Sequence, residues 1–215
     1  MTWHTRHDRR RLAVVVGASL VMAACLSTAA AWLGEPTVPV LTLPRAGDLV
    51  EGDLIFRSGV SRESALVRLA DPGATYSHVG LIHLDGDEPY VVHIEPGSTA
   101  DETRVRREPL AVFLGADRAD GVRVRHLRAV DRERGRAAVA AALRYRDRGI
   151  SFDQHADLTT VDEQYCTELV WRAYREAGLD LLDGDFGAPL PLTNRRVIRV
   201  TALLASRHLE AGPAR

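Results

Sequence analysis

Cys166 is the residue of this chain whose surroundings most suggest chemistry. Apolar residues follow it at helical spacing: Leu169, Val170, Ala173, Tyr174 and Ala177. This spacing predicts that Cys166 lies in the first turn of a helix, on its buried face. There, free N–H groups and the helix dipole favour a thiolate and can hold an oxyanion. The pattern therefore predicts a nucleophile with a lowered pKa, although a lone cysteine is more often a small buried hydrophobe.

His78 is the candidate base, because it stands at the start of the first of two predicted strands. The strands cover Val79 to Leu84 and Tyr90 to Ile94, and Asp85-Gly86-Asp87 between them is a strong hairpin signal. A lone histidine in this position is more often structural than catalytic. The hairpin, however, supplies it with a partner.

The predicted register of the hairpin identifies that partner. With Asp85 and Gly86 as the central turn residues, His78 lies opposite His93, with Cβ atoms roughly 4.5–5.5 Å apart. His93 would bind one imidazole nitrogen of His78 and leave the other for a thiol, as in a nucleophile–base–orienter triad. Glu95, two residues later on the same face, takes this place if the register shifts. The predicted catalytic residues are thus Cys166, His78 and His93, with Glu95 as the alternative third member.

Other candidate site residues adjoin these motifs. Tyr76 and Gln154 are candidate oxyanion or substrate contacts, although a structural role is the simpler interpretation of both. His78, His93 and Glu95 would also form a known zinc ligand set, but the helical H-E-x-x-H spacing of many zinc hydrolases is absent from the sequence. We therefore expect neither a metal nor a cofactor.

The elements around these residues predict an α+β fold, in which helices pack on an antiparallel sheet. Helices are expected at Glu63 to Leu69, Asp131 to Arg148 and Glu163 to Ala177, and further strands just before Arg57, at Val122 to Leu127 and at Val197 to Val200. The segment from Pro96 to Ala111 is interpreted as a loop that carries substrate specificity.

The N-terminal segment predicts export. A basic cluster at Arg6 to Arg11 precedes an uncharged, mostly apolar run of 22 residues, Leu12 to Leu33. Cys25 ends a lipobox-like sequence, which would make the protein a lipoprotein, and Ala29 to Ala31 offer an ordinary cleavage site. Without cleavage, the run is long enough to anchor the protein in the membrane, with the basic cluster inside. Met22 is unusual in a lipobox and slightly favours the anchor.

Domain organisation and composition narrow the function further. Residues 1–33 are the predicted signal or anchor, 34–47 a proline-containing linker, 48–205 the catalytic domain and 206–215 a tail. A net charge of -1 gives no electrostatic basis for binding nucleic acid. The chain contains no lysine, so Schiff-base and Walker-type chemistry are excluded.

Four motifs, in this order, resemble those of the YiiX/YaeF-like circularly permuted papain-like enzymes of the NlpC superfamily. They are Gly52-Asp53-Leu54-Ile55-Phe56, Ser77-His78-Val79-Gly80-Leu81, Phe152-Asp153 and Tyr165-Cys166-Thr167-Glu168-Leu169-Val170. The resemblance runs from about Gly52 to Gly178 and implies a permuted papain-like fold. It also implies Cys166 as nucleophile and His78 as base. The third position falls on His93, where YiiX-like enzymes more often have glutamate.

The predicted function is a thiol-dependent hydrolase that acts in the cell envelope through a Cys-His-His triad. The resemblance implies amidase, peptidase, lipid esterase or acyltransferase activity, on an envelope peptide, glycopeptide or lipid-like substrate. Two alternatives stay open: a non-catalytic envelope lipid- or glycan-binding module on the same scaffold, and a zinc-dependent hydrolase.

Overall fold

The computed structural model describes residues 41, 43–189 and 195–211. In chain order its elements are β1 (Leu54–Gly59), α1 (Arg62–Ala70), β2 (His78–Asp85), β3 (Glu88–His93), β4 (Arg106–Pro109), α2 (Leu110–Phe113), β5 (Ala119–Leu127), α3 (Arg132–Asp147), β6 (Ser151–Phe152), β7 (Glu163–Gln164), α4 (Cys166–Glu176), α5 (Val200–Leu204) and β8 (Leu209–Ala211). Two short 3-10 turns, Ala46–Asp48 and Ala129–Asp131, precede β1 and α3.

The main sheet has six antiparallel strands in the order β4-β3-β2-β1-β5-β8. A separate parallel pair, β6 and β7, leads into the helix that begins at Cys166. The prediction of an antiparallel sheet packed with helices is therefore confirmed. Because neighbouring strands alternate in direction, residues far apart in sequence meet on one sheet face.

The two faces of the sheet are covered differently. On one face, Leu54, Phe56 and Leu81 belong to the larger core, which also contains buried residues of α3 and α4. On the other face, Ile55 and Ile82 pack against a smaller cluster around α2. Strand alternation places every second residue on this second face. That face carries the histidines described below.

The corner before β1 is held by Asp53, whose side chain is buried. Its carboxylate accepts hydrogen bonds from the backbone N–H of Val50 at 2.9 Å and of Leu127 at 3.1 Å, and contacts Nδ1 of His126 at 2.7 Å. Asp53 therefore ties the entry of β1 to the end of β5. Of the four motifs that carry the family resemblance, Gly52-Asp53 therefore has a structural role.

The first two predicted helices match α1 and α3 to within one residue at each end. The third begins three residues later than predicted, because Glu163 and Gln164 pair with β6 as strand β7 and α4 starts at Cys166.

The end of the chain also differs. No strand forms at Val197 to Val200; α5 begins at Val200 and the last strand is β8. Strand β8 pairs with β5 and lies within the segment that the sequence suggested is a tail. Ser206 helps to hold β8 in this place. Its hydroxyl donates to the carbonyl of Leu181 at 2.6 Å and fixes the segment just before β8 to the core.

No helix within residues 41, 43–189 and 195–211 is long and apolar enough to cross a bilayer. The predicted signal or anchor segment, residues 1–33, and the first part of the predicted linker lie outside the described residues. Leu41, in the middle of that linker, packs against the smaller core cluster.

Candidate active site

Helix α4 places Cys166 at its first residue, after Tyr165 as N-cap. Two neighbours fix this end of the helix against a distant segment. The hydroxyl of Tyr165 accepts from the backbone N–H of Ile198 at 2.8 Å, and the hydroxyl of Thr167 donates to the carbonyl of Ile198 at 2.7 Å. Cys166 is 9% exposed. The thiol is therefore held at a defined point.

His78 is the first residue of β2 and is held by the strand before it. The N–H of Ser77 donates to the carbonyl of Arg57 at 3.0 Å, and the Ser77 hydroxyl accepts from the N–H of Gly59 at 2.9 Å. The next residue, Val79, offers its backbone N–H to the Cys166 sulfur. The start of β2 thus lies beside the start of α4.

The register of the β2–β3 hairpin differs by two residues from the prediction. Leu81 pairs with Val92 and Asp85 with Glu88, so Gly86 and Asp87 are the central turn residues. A tight hairpin turn needs a positive φ at its first central position, which Gly86 adopts at +62°. The predicted register with Asp85 and Gly86 at the centre is therefore wrong.

The two histidines still meet, because a shift of two residues keeps each side chain on its face. Nε2 of His78 lies 3.0 Å from Nδ1 of His93. By the observed register, Gly80 lies opposite His93, and a Cβ on Gly80 would lie 3.1 Å from the Cβ of His93 and clash with Val91. Glycine therefore leaves the space that the His93 ring uses to reach His78.

A carboxylate completes the chain of hydrogen bonds. Nε2 of His93 contacts Oε1 of Glu108 at 2.8 Å, and Arg118 donates to the same oxygen at 2.8 Å. Burial by itself would raise the pKa of Glu108, but the hydrogen bonds from His93 and Arg118 hold that pKa at about 2. Glu108 is therefore ionised and can only accept.

This carboxylate decides where the imidazole protons lie. Nε2 of His93 donates to Glu108, so Nδ1 of the neutral ring accepts from Nε2–H of His78. Nδ1 of His78 is then unprotonated, and no hydrogen bond among the described residues occupies it. This chain of hydrogen bonds from Glu108 through His93 to His78, called the relay below, leaves a basic nitrogen on His78.

Glu95 lies near His78 but is engaged elsewhere. Its carboxylate accepts from Arg57, Arg106 and Arg118, and its nearest oxygen is 3.9 Å from Nε2 of His78. Although burial opposes ionisation, His93 and the arginines lower the pKa of Glu95. The carboxylate thus offsets the positive charge of three guanidinium groups.

Phe113 of α2 packs on both imidazoles. Its ring centroid is 5.7 Å from that of His78 and 5.0 Å from that of His93. The guanidinium of Arg57 lies over the same ring at 4.5 Å and donates to the Phe113 carbonyl at 2.9 Å. The aromatic ring excludes water from the relay and limits rotation of both imidazoles.

Burial sets the protonation of the catalytic pair. It raises the pKa of the Cys166 thiol to about 11, although backbone N–H groups of Val79 and Thr167 act in the opposite direction. It lowers the pKa of His78 well below 6.5, and the charges of Arg57, Arg106 and Arg118 lower it further. The expectation of a lowered thiol pKa is therefore not met, because desolvation outweighs the helix N-terminus. The pair rests as a neutral thiol and a neutral imidazole.

A cavity of about 870 Å³ joins several of the predicted residues. Cys166, His78, Glu95 and Gln154 line it, and Gln154 is exposed to solvent. His93 is fully buried behind His78. Tyr76 is not among the residues that line the cavity and packs against Phe56, with centroids 6.3 Å apart.

The sequence missed Glu108, Phe113 and Arg118. Glu108 belongs to β4, inside the segment interpreted as a specificity loop, and β4 pairs with β3 so that Val91 faces Glu108. Charged residues are frequent in this segment, and none of its sequence patterns separates Glu108 from the others. Strand pairing alone brings it to His93.

Comparison with known proteins agrees with this architecture. The sequence profile described as permuted papain-like amidase enzyme, YaeF/YiiX, C92 family, matches residues 48–183. A crystal structure of metalloprotein yiiX from Escherichia coli O157:H7 is similar, with a TM-score of 0.61 and 23% sequence identity, covering 78% of this chain and 98% of that one. No curated protein matches the chain significantly.

Proposed function

The chain belongs to the permuted papain-like amidase family, YaeF/YiiX, C92, and from that premise we propose that it is a cysteine hydrolase of amide or ester bonds. Cys166 is the nucleophile and His78 the base. The observation that carries the proposal is the hydrogen-bonded relay from Glu108 through His93, which leaves a basic nitrogen on His78 in the cavity that Cys166 lines. A histidine pair with a purely structural role would not need an unoccupied basic nitrogen that faces a cavity.

The steps follow from the protonation states. Nδ1 of His78 takes the thiol proton as the sulfur attacks the carbonyl carbon, and Glu108 stabilises the resulting imidazolium through His93. Leu169 makes the first backbone hydrogen bond of α4, to the carbonyl of Tyr165. The N–H groups of Cys166 and Thr167 precede it and can hold the oxyanion.

The tetrahedral intermediate then breaks down in two stages, deacylation following departure of the leaving group. The leaving group takes the proton from His78, and the carbon–nitrogen or carbon–oxygen bond breaks to leave an acyl group on the sulfur. Water attacks this thioester and gives a proton to His78. The carbon–sulfur bond then breaks, the acid is released, and His78 returns the proton to the sulfur of Cys166. Gln154 lines the cavity, which supports its assignment as a substrate contact.

Acylation of the full-length protein by p-nitrophenyl acetate tests the proposal. We expect a stoichiometric burst of nitrophenol and a mass increase of one acetyl group on Cys166, both abolished in Cys166→Ala. Cys25→Ala is the matched control, because it removes the other cysteine and should keep the burst. A full burst in Cys166→Ala would disprove the mechanism.

A zinc-dependent hydrolase is the second candidate. One ligand atom from each of His78, His93 and Glu95 lies within 4.8 Å of the other two, and the similar yiiX structure is described as that of a metalloprotein. The fit here is poor, because Arg57, Arg106 and Arg118 already bind Glu95 and would repel a divalent cation. Stoichiometric zinc that is lost in His93→Ala, with activity retained in Cys166→Ala, would favour this candidate over the thiol mechanism.

We also propose that the protein acts outside the cytoplasmic membrane, tethered or exported by residues 1–33, with an envelope substrate and no role for nucleic acid. The basic cluster followed by an apolar run supports this location. Fractionation of cells and mass spectrometry of the mature N-terminus test it. A protein with its original N-terminus in the soluble cytoplasmic fraction would contradict it.

A further inference from the structure

A second cavity, of about 440 Å³, shares no lining residue with the catalytic cavity. It lies between the end of α3, helix α4 and the loop that joins β6 to β7, and we call it the arginine pocket after Arg148, Arg172 and Arg175 in its lining. Its volume is within the range of about 300–1,000 Å³ in which proteins bind small molecules. The reaction proposed above uses none of its residues, so the pocket is a second candidate binding site.

Two of its arginines have N–H groups available for an anion. Arg175 stacks on Trp171, with the guanidinium 4.8 Å from the ring centroid, and no hydrogen bond of its guanidinium is present in the described part of the chain. Arg148 lies 6.0 Å from the Tyr145 ring, and the carboxylate of Asp162 is 3.9 Å away from it. A guanidinium on an aromatic face keeps its N–H edge free for a planar carboxylate.

Glu176 is the acidic residue among the described residues that line the pocket, and its carboxylate is occupied. It accepts from Arg144 at 2.5 Å and from the hydroxyl of Tyr145 at 2.7 Å. Arg148 and Arg175 therefore leave the pocket positively charged.

Arg172 holds the apolar wall of the pocket in place. It donates to the buried carboxylate of Glu168 at 2.7 Å, and to the carbonyls of Leu158 and Thr160 at 2.7 and 2.8 Å. These bonds fix the loop from which Leu158 and Val161 line the pocket, and Val161 is 63% exposed. An apolar group of a ligand that covers this wall leaves water as it binds.

Gln164 gives the pocket an amide without a partner. The residue lines the pocket and is only 2% exposed, yet its amide oxygen accepts no hydrogen bond within residues 41, 43–189 and 195–211. A buried amide in this state costs free energy unless a ligand pairs with it. Rotation about its terminal torsion presents either the oxygen or the NH₂ group to the pocket. Gln164 can therefore pair with the amide group of a ligand.

From these groups we propose that the arginine pocket binds an N-acyl amino acid with an apolar side chain, either free or as the last residue of a peptide. Its carboxylate binds Arg148 and Arg175, its amide N–H donates to Gln164, and its side chain lies against Leu158 and Val161. Inorganic phosphate would satisfy the arginines alone and leave the apolar wall uncovered.

Calorimetric titration of the full-length protein with N-acetyl-leucine tests this inference. We expect saturable binding of one molecule per chain. N-acetyl-leucinamide, which has no carboxylate, should bind about tenfold more weakly or worse, and 4-methylpentanoate, which has no amide, about fivefold more weakly. Inorganic phosphate and N-acetylglycine, which lack the apolar side chain, should also bind more weakly.

An arginine variant locates the binding. Arg175→Gln should weaken the binding of N-acetyl-leucine by about tenfold or more, because a charged pair is lost. Arg136→Gln is the matched control, since Arg136 is exposed on α3 and does not line the pocket. It should bind N-acetyl-leucine as the wild type does.

Gln164→Leu separates recognition of the amide from a structural role. The variant should lose the preference for N-acetyl-leucine over 4-methylpentanoate and keep its free energy of unfolding, because leucine replaces an amide that has no partner. A structural role would instead lower the free energy of unfolding and leave the preference intact.

The outcomes are independent of the hydrolase function, because Cys166→Ala should bind N-acetyl-leucine as the wild type does. The inference would be overturned by absence of saturable binding, by equal affinity for N-acetyl-leucine and its amide or phosphate, or by undiminished binding in Arg175→Gln. Gly-Gly-Leu then distinguishes the two sources of the ligand. Tighter binding than that of N-acetyl-leucine identifies a peptide end, equal binding identifies any N-acyl amino acid, and both results support the inference.

Discussion

At the scale of single residues, the proposed mechanism depends on the position of one proton. Glu108 accepts from His93, which therefore accepts from His78, and so His78 keeps a basic Nδ1. The carboxylate lies two hydrogen bonds from His78 and acts by orienting and stabilising the imidazoles. In the proposed mechanism Glu108 is thus a positioning residue, and hydrogen bonds from His93 and Arg118 hold it in the ionised state.

Glu108→Gln should lower kcat with little change in KM. The amide accepts the hydrogen bond from His93 but carries no charge to stabilise the imidazolium. General acid–base catalysis typically contributes about 10²–10⁴-fold, which sets the upper limit of the loss. The acid limb of the kcat profile should move to lower pH. Steady-state kinetics across pH provide the measurement.

The exposed Glu88 of β3 provides the matched control, and Glu88→Gln should leave both constants unchanged. If Glu108→Gln retained wild-type kcat and an unaltered pH profile, the relay would have no role in catalysis.

Alkylation of Cys166 by iodoacetamide should be slow at neutral pH and increase through the alkaline range. Burial raises the pKa of this thiol to about 11, so the thiolate fraction at pH 7 is very small. The rate is followed by mass spectrometry of the Cys166 peptide from pH 5 to 10. A Cys25→Ala background removes the other thiol. A rate that is already constant below pH 7 would indicate a thiolate–imidazolium pair instead.

At the scale of elements, the β2–β3 hairpin brings His78 to His93. The observed register places Gly80 opposite His93, and the absent side chain is what allows the two rings to meet diagonally. Helix α4 contributes the thiol from the other side of β2, beside Val79. His78 and Cys166 are brought together by both features, because β2 positions the imidazole and the start of α4 positions the thiol.

Gly80→Ala should lower both stability and kcat. The added Cβ clashes with Val91 and crowds the Cβ of His93 at 3.1 Å, and overpacking of this kind costs about 1–3 kcal/mol. Urea unfolding and kcat measure the two effects. Gly47→Ala is the control, because a Cβ there meets nothing within 4 Å. Adding Val91→Ala should recover part of the loss; wild-type stability and kcat in Gly80→Ala alone would contradict this account of the register.

At the scale of the whole molecule, the fold keeps two neutral histidines in the space between the sheet and Phe113. Charged groups surround them, namely Arg57, Glu95, Arg106, Glu108 and Arg118. Burial lowers the pKa of both His78 and His93, and the carboxylate of Glu108 partly offsets this for His93. Stability is therefore linked to pH.

The free energy of unfolding should decrease as pH falls below about 6.5, the ordinary pKa of histidine. The unfolded chain takes up protons there that the folded chain does not bind, because the folded pKa values are lower. Two such groups give a slope of at most about 2.7 kcal/mol per pH unit. Urea unfolding from pH 7.5 to 5.5 measures this slope.

Variants attribute the slope to the buried histidines. His78→Asn and His93→Asn should each reduce it, whereas His155→Asn, at an exposed position, should not. Equal slopes in all three variants and the wild type would show that other groups cause the pH dependence.

The sequence by itself determined the local pattern of the site. Helical spacing after Cys166 predicted a helix with this residue in its first turn, and the two-residue period of strands placed His78, His93 and Glu95 on one face in any even register. Such periodicities are local, because they depend only on backbone geometry. The antiparallel sheet packed with helices could be predicted for the same reason, together with the family resemblance.

Only the tertiary structure decided which partner each group has and how it ionises. Which of His93 and Glu95 contacts His78 depended on the hairpin turn at Gly86 and on three arginines that bind Glu95. These arginines come from β1, from β4 and from the segment just before β5. Glu108 reaches His93 through pairing of β4 with β3. The thiol pKa depends on burial, which outweighs the helix N-terminus. These properties arise from contacts between distant segments, and their energies depend on packing that no local pattern encodes.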